Sequence, residues 1–252
     1  MHSICGIILT YNEENNIQDA ILNLKKVADS IFILDSFSTD KTESYALELG
    51  AKVVKRPWTN WVEARNYAME QVAENWVLFL DADERMDTKL IESILKEKNK
   101  DEMYPVYAFL RRNFIGQKPI LFGNWNPDTK PRLFDKAKAK WSGSLVHEKL
   151  STEGIKPDLL NGELLHYSYK EINGLKHKAQ KYGELAAQSL VGKSWLKLVI
   201  GLFFSPIIRF VKGYVFKRGF LDGLEGVAIA YYNTQEVFIK YSKAIKKKTL
   251  SK

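Results

Sequence analysis

The sequence predicts an α/β protein built on a mainly parallel sheet with helices on both faces. Two observations carry this prediction: short apolar runs alternate with stretches of helical periodicity over the first hundred residues, and each apolar run gives way to polar residues. Strands separated by helices imply right-handed crossovers between parallel strands. A hydrophobic content of 45% with 27% charged residues is ordinary for a globular chain and argues against disorder.

Four apolar runs predict the parallel strands. They are SICGIIL (3–9), SIFILD (30–35), AKVVK (51–55) and WVLFL (76–80). Short apolar runs with polar boundaries are typical of strands buried in a sheet.

The stretches between these runs predict three helices. The first, NNIQDAILNLKKVAD, places apolar residues every three or four positions. The second has Asp40 and Glu43 at the spacing of a capping box and Gly50 as its stop signal, and the third repeats the capping spacing with Asn60 and Glu63.

Beyond about residue 103 the alternation weakens, and the chain divides into two predicted domains. Runs such as VYAFLRRNF, KPRLF, SLVHEKL and GELLHYSY predict shorter strands suited to mixed pairing. The first domain is therefore predicted to cover 1–169, with halves at about 1–100 and 101–169, and a helical region follows over 170–252.

The basic charge of the chain is confined to this C-terminal region. Residues 190–252 hold 12 Lys and Arg against 3 Asp and Glu, whereas the first 189 residues hold 26 against 27. Bulky apolar residues, among them Trp195, Leu198, Leu202 and Phe203, share the same segment. This combination predicts contact with an anionic membrane surface and excludes a nucleic-acid reader, which carries its basic residues around its reading element.

The longest uncharged run in this segment, Leu198 to Ile208, has 11 residues and includes Pro206. We expect it to be too short to cross a bilayer, which takes about 20 residues. The competing interpretation of the segment is a helical subdomain with a solvated basic face.

The N-terminus and the cysteine content predict a cytoplasmic protein. MHSICGIILTYNEE has neither the basic start nor the cleavage site of a signal peptide. The one cysteine, Cys5, lies in the first apolar run and forms no internal disulfide, which suits a reducing compartment.

The polar residues after three of the strands predict one functional crevice. TYNEE, DSFSTD and DADE follow the first, second and fourth runs, and functional groups in open α/β sheets gather at the carboxyl ends of strands. Asp81 and Asp83 face the same side if the extended backbone continues, so they predict a hard-oxygen site for Mg²⁺ or Mn²⁺. The competing interpretation is a solvated turn with an N-cap aspartate for helix 88–98. Glu84 and Asp87 are predicted to be helix-start charges rather than ligands.

Six motifs in order resemble inverting glycosyltransferase family 2, which has the GT-A fold. They are LTYNEENNI, ILDSFSTDKT, WVEARNYA, FLDADE, PRLF and VHE, and GFLDGLEG near the C-terminus resembles the bacterial lipopolysaccharide-core β-1,4-glucosyltransferase branch. The resemblance implies a GT-A catalytic domain over 1–169, with a nucleotide-sugar half and an acceptor half. It also implies a metal-dependent hexosyltransferase of cell-envelope lipopolysaccharide biosynthesis that takes UDP-glucose as its donor.

The resemblance also implies roles for individual residues. The nucleotide sugar is held by a group at the strand ends, namely Thr10, Tyr11, Glu13, Asp35, Arg65, Asp81 and Ala82. The metal is held by Asp83, by Asp81 directly or through water, and by His166. Glu148 is the base that takes the proton of the acceptor hydroxyl.

Several of these residues keep a second interpretation. Glu148 is otherwise a surface ion-pair residue, and His166 is otherwise structural. His147 contacts the acceptor or is a packed strand residue. Arg132 is predicted to contact a phosphate group or the acceptor. The tryptophans Trp125 and Trp141 line a sugar site or belong to the core.

The predicted function is transfer of a hexose to a lipopolysaccharide or lipooligosaccharide core sugar at the inner face of the cytoplasmic membrane. The expected partners are a UDP-sugar, a lipid-linked glycan and the anionic membrane, with no nucleic acid. The alternatives are a polyprenyl-phosphate glycosyltransferase of the same fold and a non-catalytic membrane-bound protein that binds nucleotide sugars. A nucleotidyltransferase is disfavoured because LTYNEENN lacks a glycine-rich basic loop.

Overall fold

The computed structural model describes residues 2–144 and 147–250, with the side chains of Ser144, His147 and Leu250 outside the description. The chain forms two compact units. Their ranges are Met1–Arg111 with Asp128–His166 for the first unit, and Arg112–Pro127 with Tyr167–Lys252 for the second. This division differs from the predicted boundary after residue 169, because residues 112–127 group with the C-terminal helices. The functional assignment of the two predicted domains stays a prediction.

The strands form a mixed sheet and a separate hairpin. In chain order the strands are β1 (Ile4–Thr10), β2 (Ser30–Asp35), β3 (Lys52–Lys55), β4 (Trp76–Phe79), β5 (Glu84–Met86), β6 (Val106–Ile115), β7 (Lys118–Pro119), β8 (Thr129–Asp135), β9 (Lys140–Ser144), β10 (His147–Ser151) and β11 (Asp158–Tyr169). The sheet order is β3-β2-β1-β4-β8-β6-β11-β5, with β7 beside β6, and β9 pairs with β10 alone. Strands β3, β2, β1 and β4 are parallel, and β8 runs antiparallel to both β4 and β6. The predicted α/β class is confirmed.

The helices follow the predicted alternation. They are α1 (Ile17–Leu24), α2 (Thr42–Glu48), α3 (Trp61–Glu70), α4 (Thr88–Lys98), α5 (Gly174–Ala187), α6 (Trp195–Val211) and α7 (Gly223–Leu250). Two predicted caps are confirmed: Asn60 accepts a bond from the Glu63 backbone N–H (2.9 Å), and Asp87 accepts one from that of Leu90 (2.7 Å). The capping box predicted for α2 is wrong. Its N-cap is Lys41, because Asp40 instead accepts bonds from Thr42 and from the Glu14 backbone.

Helices cover both faces of the parallel strands because successive strand residues point to opposite sides. In β4, Trp76 and Leu78 belong to the core cluster that includes residues of α1, α2 and α4. Val77 and Phe79 belong to the cluster on the other face, which includes residues of α3. The core of the first unit is therefore two apolar layers separated by the sheet.

The GFLDGLEG motif holds the second unit together. Asp222 is buried and accepts bonds from the backbone N–H groups of Leu121 (3.0 Å) and Phe122 (2.9 Å), so it fixes the segment 112–127 on the C-terminal helices. A side chain at Gly226 would place a Cβ 1.9 Å from the carbonyl oxygen of Gly219, so only glycine fits at this close approach.

The expectation that the apolar segment is too short to cross a membrane is wrong as an argument from length. The helix continues through its charged residues from Trp195 to Phe216, and its 22 residues and mean hydropathy of 1.6 make it long and apolar enough by composition. Pro206 lies buried inside α6 without ending it. Length and composition alone are weak evidence for a span.

Candidate active site

The carboxyl ends of β1, β2 and β4 lie at one edge of the sheet because β1 is the parallel neighbour of both other strands. Thr10 and Asp35, the last residues of β1 and β2, are register partners. The loops beyond them are joined by Asn12. Its backbone N–H donates to the Ser38 hydroxyl (2.9 Å), and its side-chain oxygen accepts from the Thr39 backbone (2.8 Å). The structure thus brings the TYNEE and DSFSTD motifs together.

The residues predicted to hold the nucleotide differ in exposure at this edge. Tyr11 is 58% exposed, so its ring is accessible to a planar base. Thr10 is buried, and its hydroxyl has no hydrogen-bond partner within the part of the chain that the structure describes. Asp35 is fully buried, and its two carboxylate oxygens accept bonds from the Ser38 hydroxyl (2.5 Å) and backbone (2.9 Å). In this structure Asp35 therefore orders the turn that follows β2.

The DADE turn directs Asp83 towards His166. Strand β5 pairs antiparallel with β11 so that Glu84 is opposite His166, which places the imidazole beside the preceding Asp83. The distance from His166 Nε2 to Asp83 Oδ2 is 3.3 Å, and both side chains are partly exposed. Ala82, between the two aspartates, is buried.

Glu13 lies within the electrostatic reach of this pair. Burial raises the pKa of Glu13, and the nearby charge of Asp83 raises it further, while the Asn16 amide that donates to Glu13 (2.7 Å) opposes the shift. The first strand end and the DADE turn therefore share one electrostatic environment.

Asp81 is held by two arginines. One carboxylate oxygen accepts a bond from Arg132 (2.8 Å), and the other lies 3.6 Å from Arg65. Burial opposes ionisation of Asp81, but the charges of Arg132 and then Arg65 outweigh it and hold the pKa of Asp81 well below its usual range. Asp81 is therefore a carboxylate whose charge is already balanced by protein groups.

Glu84 is a residue whose role sequence reasoning missed. We expected a helix-start charge, but Glu84 is in β5 and is 0% exposed. Its carboxylate accepts bonds from Arg132 (2.6 Å), Arg111 (3.2 Å) and the Asp81 backbone N–H (3.0 Å). The spacing of Asp81 and Glu84 gave no signal for this, since the arginines come from β6 and β8.

Arg132 bridges the two acids from the core of the first unit. It is 3% exposed, and although burial disfavours its charge, Asp81 and Glu84 outweigh that effect and raise the pKa of Arg132 above the usual arginine value. The guanidinium contacts described here go to protein carboxylates, and Nε has no partner among the described residues. The predicted contact of Arg132 with phosphate or acceptor stays a prediction.

Glu148 is linked to Asp81 and the DADE turn through Arg65. Strand β10 places its carboxylate 3.4 Å from one Arg65 nitrogen, while the other nitrogen faces Asp81. The Arg65 guanidinium is buried over the ring of Trp141 (4.3 Å) and near that of Trp61 (5.2 Å). Burial lowers the pKa of Arg65, and the Asp81 charge offsets part of this. One buried cation thus joins the candidate base to the DADE turn.

Other predicted residues lie elsewhere. Trp141 is a buried core residue beneath Arg65. Trp125 belongs to the second unit, where it stacks on Tyr169 with ring centres 5.9 Å apart and has Lys178 Nζ 5.6 Å from its centre. The side chain of His147 lies outside the described part of the chain.

The donor chemistry of this site fits a divalent cation shared with a ligand. Asp83 and His166 supply a carboxylate and an imidazole that face each other. Among residues 2–144 and 147–250, no group of three or more His, Cys, Asp or Glu side chains is arranged to hold a metal. Two donors are enough for a cation that completes its shell with water and phosphate oxygens, as Mg²⁺ usually does.

The order of these motifs along the chain matches a known family. Residues 5–151 match the family model for glycosyl transferase family 2, which covers more than half of the chain. The chain belongs to glycosyltransferase family 2. It is 33% identical over 241 residues to an uncharacterized glycosyltransferase of Rickettsia felis, an alignment that covers 90% of this chain and 83% of that protein.

A second relative is named for the biosynthetic process in which it takes part. The lipopolysaccharide core biosynthesis glycosyltransferase LpsC of Rhizobium meliloti is 26% identical over 254 residues, covering 95% of this chain and 93% of LpsC. Among solved structures, glucosyl-3-phosphoglycerate synthase of Mycobacterium tuberculosis with Mn²⁺, UDP and glucosyl-3-phosphoglycerate is 22% identical. That match covers 46% of this chain and 45% of the synthase, and its TM-score of 0.35 is too low to support an argument.

Family membership makes the protein a glycosyltransferase and confirms the family predicted from the motifs. The matched range contains the Asp81–Asp83 turn, Arg65 and Glu148, whereas His166 lies beyond it. The roles of the individual residues stay predictions.

Proposed function

We propose that this glycosyltransferase moves a hexose, glucose from UDP-glucose, onto a lipopolysaccharide or lipooligosaccharide core sugar in one inverting displacement. The observation that carries the proposal is the Arg65 bridge: a single guanidinium contacts both Glu148 and Asp81. A base and a diphosphate site must lie on either side of a reacting sugar carbon, and this bridge keeps the two groups one side chain apart.

In this proposal the nucleotide binds at the ends of β1 and β2. Tyr11 offers its exposed ring to the uracil, and Thr10, Glu13, Asp35 and Ala82 shape the floor of the site. Asp83 and His166, with Asp81 directly or through water, would hold Mg²⁺ or Mn²⁺, which would supply charge neutralisation to the departing diphosphate. Asp81 orients Arg65 and Arg132 around that position.

Glu148 takes the proton of the acceptor hydroxyl. A hydroxyl is a poor nucleophile until a positioned base accepts its proton, and Glu148 is partly exposed, so an acceptor can reach it. Attack opposite the leaving UDP then inverts the anomeric centre. The acceptor side is assigned to Arg132 and His147 as predicted, with a lipid-linked glycan as the acceptor at the inner face of the cytoplasmic membrane. The acceptor or phosphate role predicted for Trp125, a residue of the second unit, stays a prediction. The near-full-length similarity to LpsC supports this acceptor class.

Donor binding is tested by thermal shift with UDP-glucose and other nucleotide sugars, with and without Mn²⁺. We expect Mn²⁺ and UDP-glucose together to stabilise the wild type, and Asp83→Asn to lose the Mn²⁺-dependent part. Asp87→Asn is the matched control, because Asn caps a helix about as well as Asp and the Asp87 side chain caps α4. An Asp83→Asn response to Mn²⁺ equal to that of the wild type would refute the metal assignment.

The acceptor class is tested by transfer with Glu148→Gln. A sugar hydroxyl needs the base, so this variant should bind UDP-glucose normally and transfer the sugar about 10²–10⁴ times more slowly. Full activity of Glu148→Gln on a polyprenyl phosphate would instead favour a phosphate acceptor, which needs no strong base. If no nucleotide sugar binds under any condition, the donor-site proposal is wrong.

A further inference from the structure

The second unit exposes a stripe of large apolar side chains along α6. The stripe follows the spacing i, i+4, i+7, i+8, i+11, i+12, and its residues, 49–68% exposed, are Leu196, Ile200, Phe203, Phe204, Ile207 and Ile208. This spacing puts all six on one side of the helix. Contiguous exposed apolar surface of this kind marks a contact with an apolar partner.

The exposed surface continues past the end of α6. Phe216 and Leu224 are 79% and 78% exposed, and Phe220 and Leu221 between them are also exposed. The stripe and these four residues are called the apolar face below.

The charges next to the apolar face have one sign. Residues 190–221 contain six Lys and Arg and no Asp or Glu. Lys193, Lys197, Arg209, Lys212 and Arg218 are all exposed. A basic rim around bulky apolar side chains is complementary to a surface of anionic headgroups over acyl chains, and a purely apolar protein partner would not require it.

Helix α7 runs antiparallel to α6 and covers the opposite side of α6 along its length. Near the start of α6, Leu198 is buried against Ala244, and the Ser205 hydroxyl lies 3.3 Å from that of Tyr241. Near the other end, Gly219 beyond α6 touches Gly226 at the start of α7.

This contact decides between crossing and lying along a membrane. If α6 crossed a bilayer, α7 would enter the hydrocarbon beside it, together with Glu236, Lys240 and Lys243. Lys243 also pairs with Glu184 of α5 (2.8 Å), so α5 would enter the hydrocarbon as a third helix. Charged side chains at that depth are costly, so crossing would require the second unit to come apart.

We propose that the apolar face lies in the interface of an anionic bilayer with the α6 axis along the membrane, so that the second unit is a monotopic anchor. The inference rests on the proposed lipid-linked acceptor, because an enzyme held at the membrane meets that acceptor at a raised local concentration.

Vesicle cosedimentation tests the contact. We expect binding to phosphatidylcholine vesicles that contain phosphatidylglycerol and weaker binding to phosphatidylcholine alone. Phe203→Ser/Ile207→Ser should weaken binding by about tenfold per side chain removed. Leu22→Ser/Leu47→Ser removes two apolar side chains of the first unit that are 50% and 54% exposed, and it should leave vesicle binding unchanged. Equal losses of vesicle binding in the two double variants, or no loss in either, would overturn the proposal. So would a protein that dimerises through the stripe and binds no vesicle.

Orientation is tested with the single substitutions Lys193→Cys and Arg218→Cys, at positions beyond the two ends of α6. Buried Cys5 does not compete for the reagent. In inverted inner-membrane vesicles, an impermeant maleimide should label both positions if α6 lies along the membrane and only one if it crosses. The UDP-glucose thermal shift of the Phe203→Ser/Ile207→Ser variant should match the wild type, so loss of membrane contact is distinguishable from failure of the donor site.

Discussion

Replacing Glu84 by Gln removes one buried charge from the centre of the candidate active site. The wild-type carboxylate is fully buried and accepts bonds from Arg132, Arg111 and the Asp81 backbone. The amide keeps the shape of the side chain, but its NH₂ group faces donors, so at least one of the three bonds is lost. Among the described residues, the guanidinium of Arg132 then keeps Asp81 as its one charged partner.

The magnitude follows from these contacts. Removing one partner of a buried ion pair costs about 3–5 kcal/mol when the remaining charge is left alone. Here Arg132 keeps Asp81 and Arg111 keeps Asp128 (2.8 Å), so we expect a loss near the lower end, about 3 kcal/mol, comparable to one or two hydrogen bonds to a charged group. Because native proteins are stable by about 5–15 kcal/mol, the variant should still fold.

Urea unfolding of wild type and Glu84→Gln, followed by tryptophan fluorescence, measures this loss. The matched control is Glu63→Gln, which removes an exposed arginine pair of the same length, Arg56–Glu63 at 2.6 Å. Exposed pairs contribute about 0–1 kcal/mol, so this variant should be close to wild type. If Glu84→Gln costs no more than Glu63→Gln, the buried bridge does not stabilise the DADE turn and the reasoning from burial is wrong.

Three further predictions concern Glu148 as the base, the contribution of Asp81 to stability at acid pH, and the reactivity of Cys5. Glu148→Gln should lower kcat by about 10²–10⁴ with an unchanged UDP-glucose affinity, measured by transfer kinetics and calorimetry; a fall in affinity with kcat intact would contradict its role as base. The lowered pKa of Asp81 means that its stabilising charge is fully present above the ordinary aspartate pKa of about 3.9 and is lost as pH falls towards its folded value. The gap in urea midpoint between wild type and Asp81→Asn should therefore be constant near neutral pH and narrow below about pH 4, whereas a constant gap down to unfolding would refute it. Burial raises the pKa of Cys5 to about 11, so a thiol reagent at pH 8 should react with it only after denaturation. Rapid reaction of the native protein would show that Cys5 in β1 is accessible to the reagent.

The local elements were predictable because their signals are local. Apolar runs gave β1 to β4 with small errors at the ends, and the caps at Asn60 and Asp87 follow from short side chains that bond a backbone N–H three residues on. The α2 cap failed because Asp40 accepts bonds from Thr42, two residues on, and from the Glu14 backbone across the neighbouring loop. No spacing within α2 reveals the second contact.

The sequence by itself determined the family, the alternation of strands and helices, and the gathering of polar motifs at three strand ends, because each depends on residue types at short spacing. Tertiary structure decided what the acids do. Arg132 and Arg111 arrive from strands 27 to 51 residues away from Asp81 and Glu84, and they turn Glu84 into a buried partner of arginine and Asp81 into a partly exposed one. Asp83 keeps a partly exposed carboxylate beside His166, and Asp87 caps a helix. The same holds for α6, whose composition permits a span, while its contact with the charged helix α7 argues for a place along the membrane.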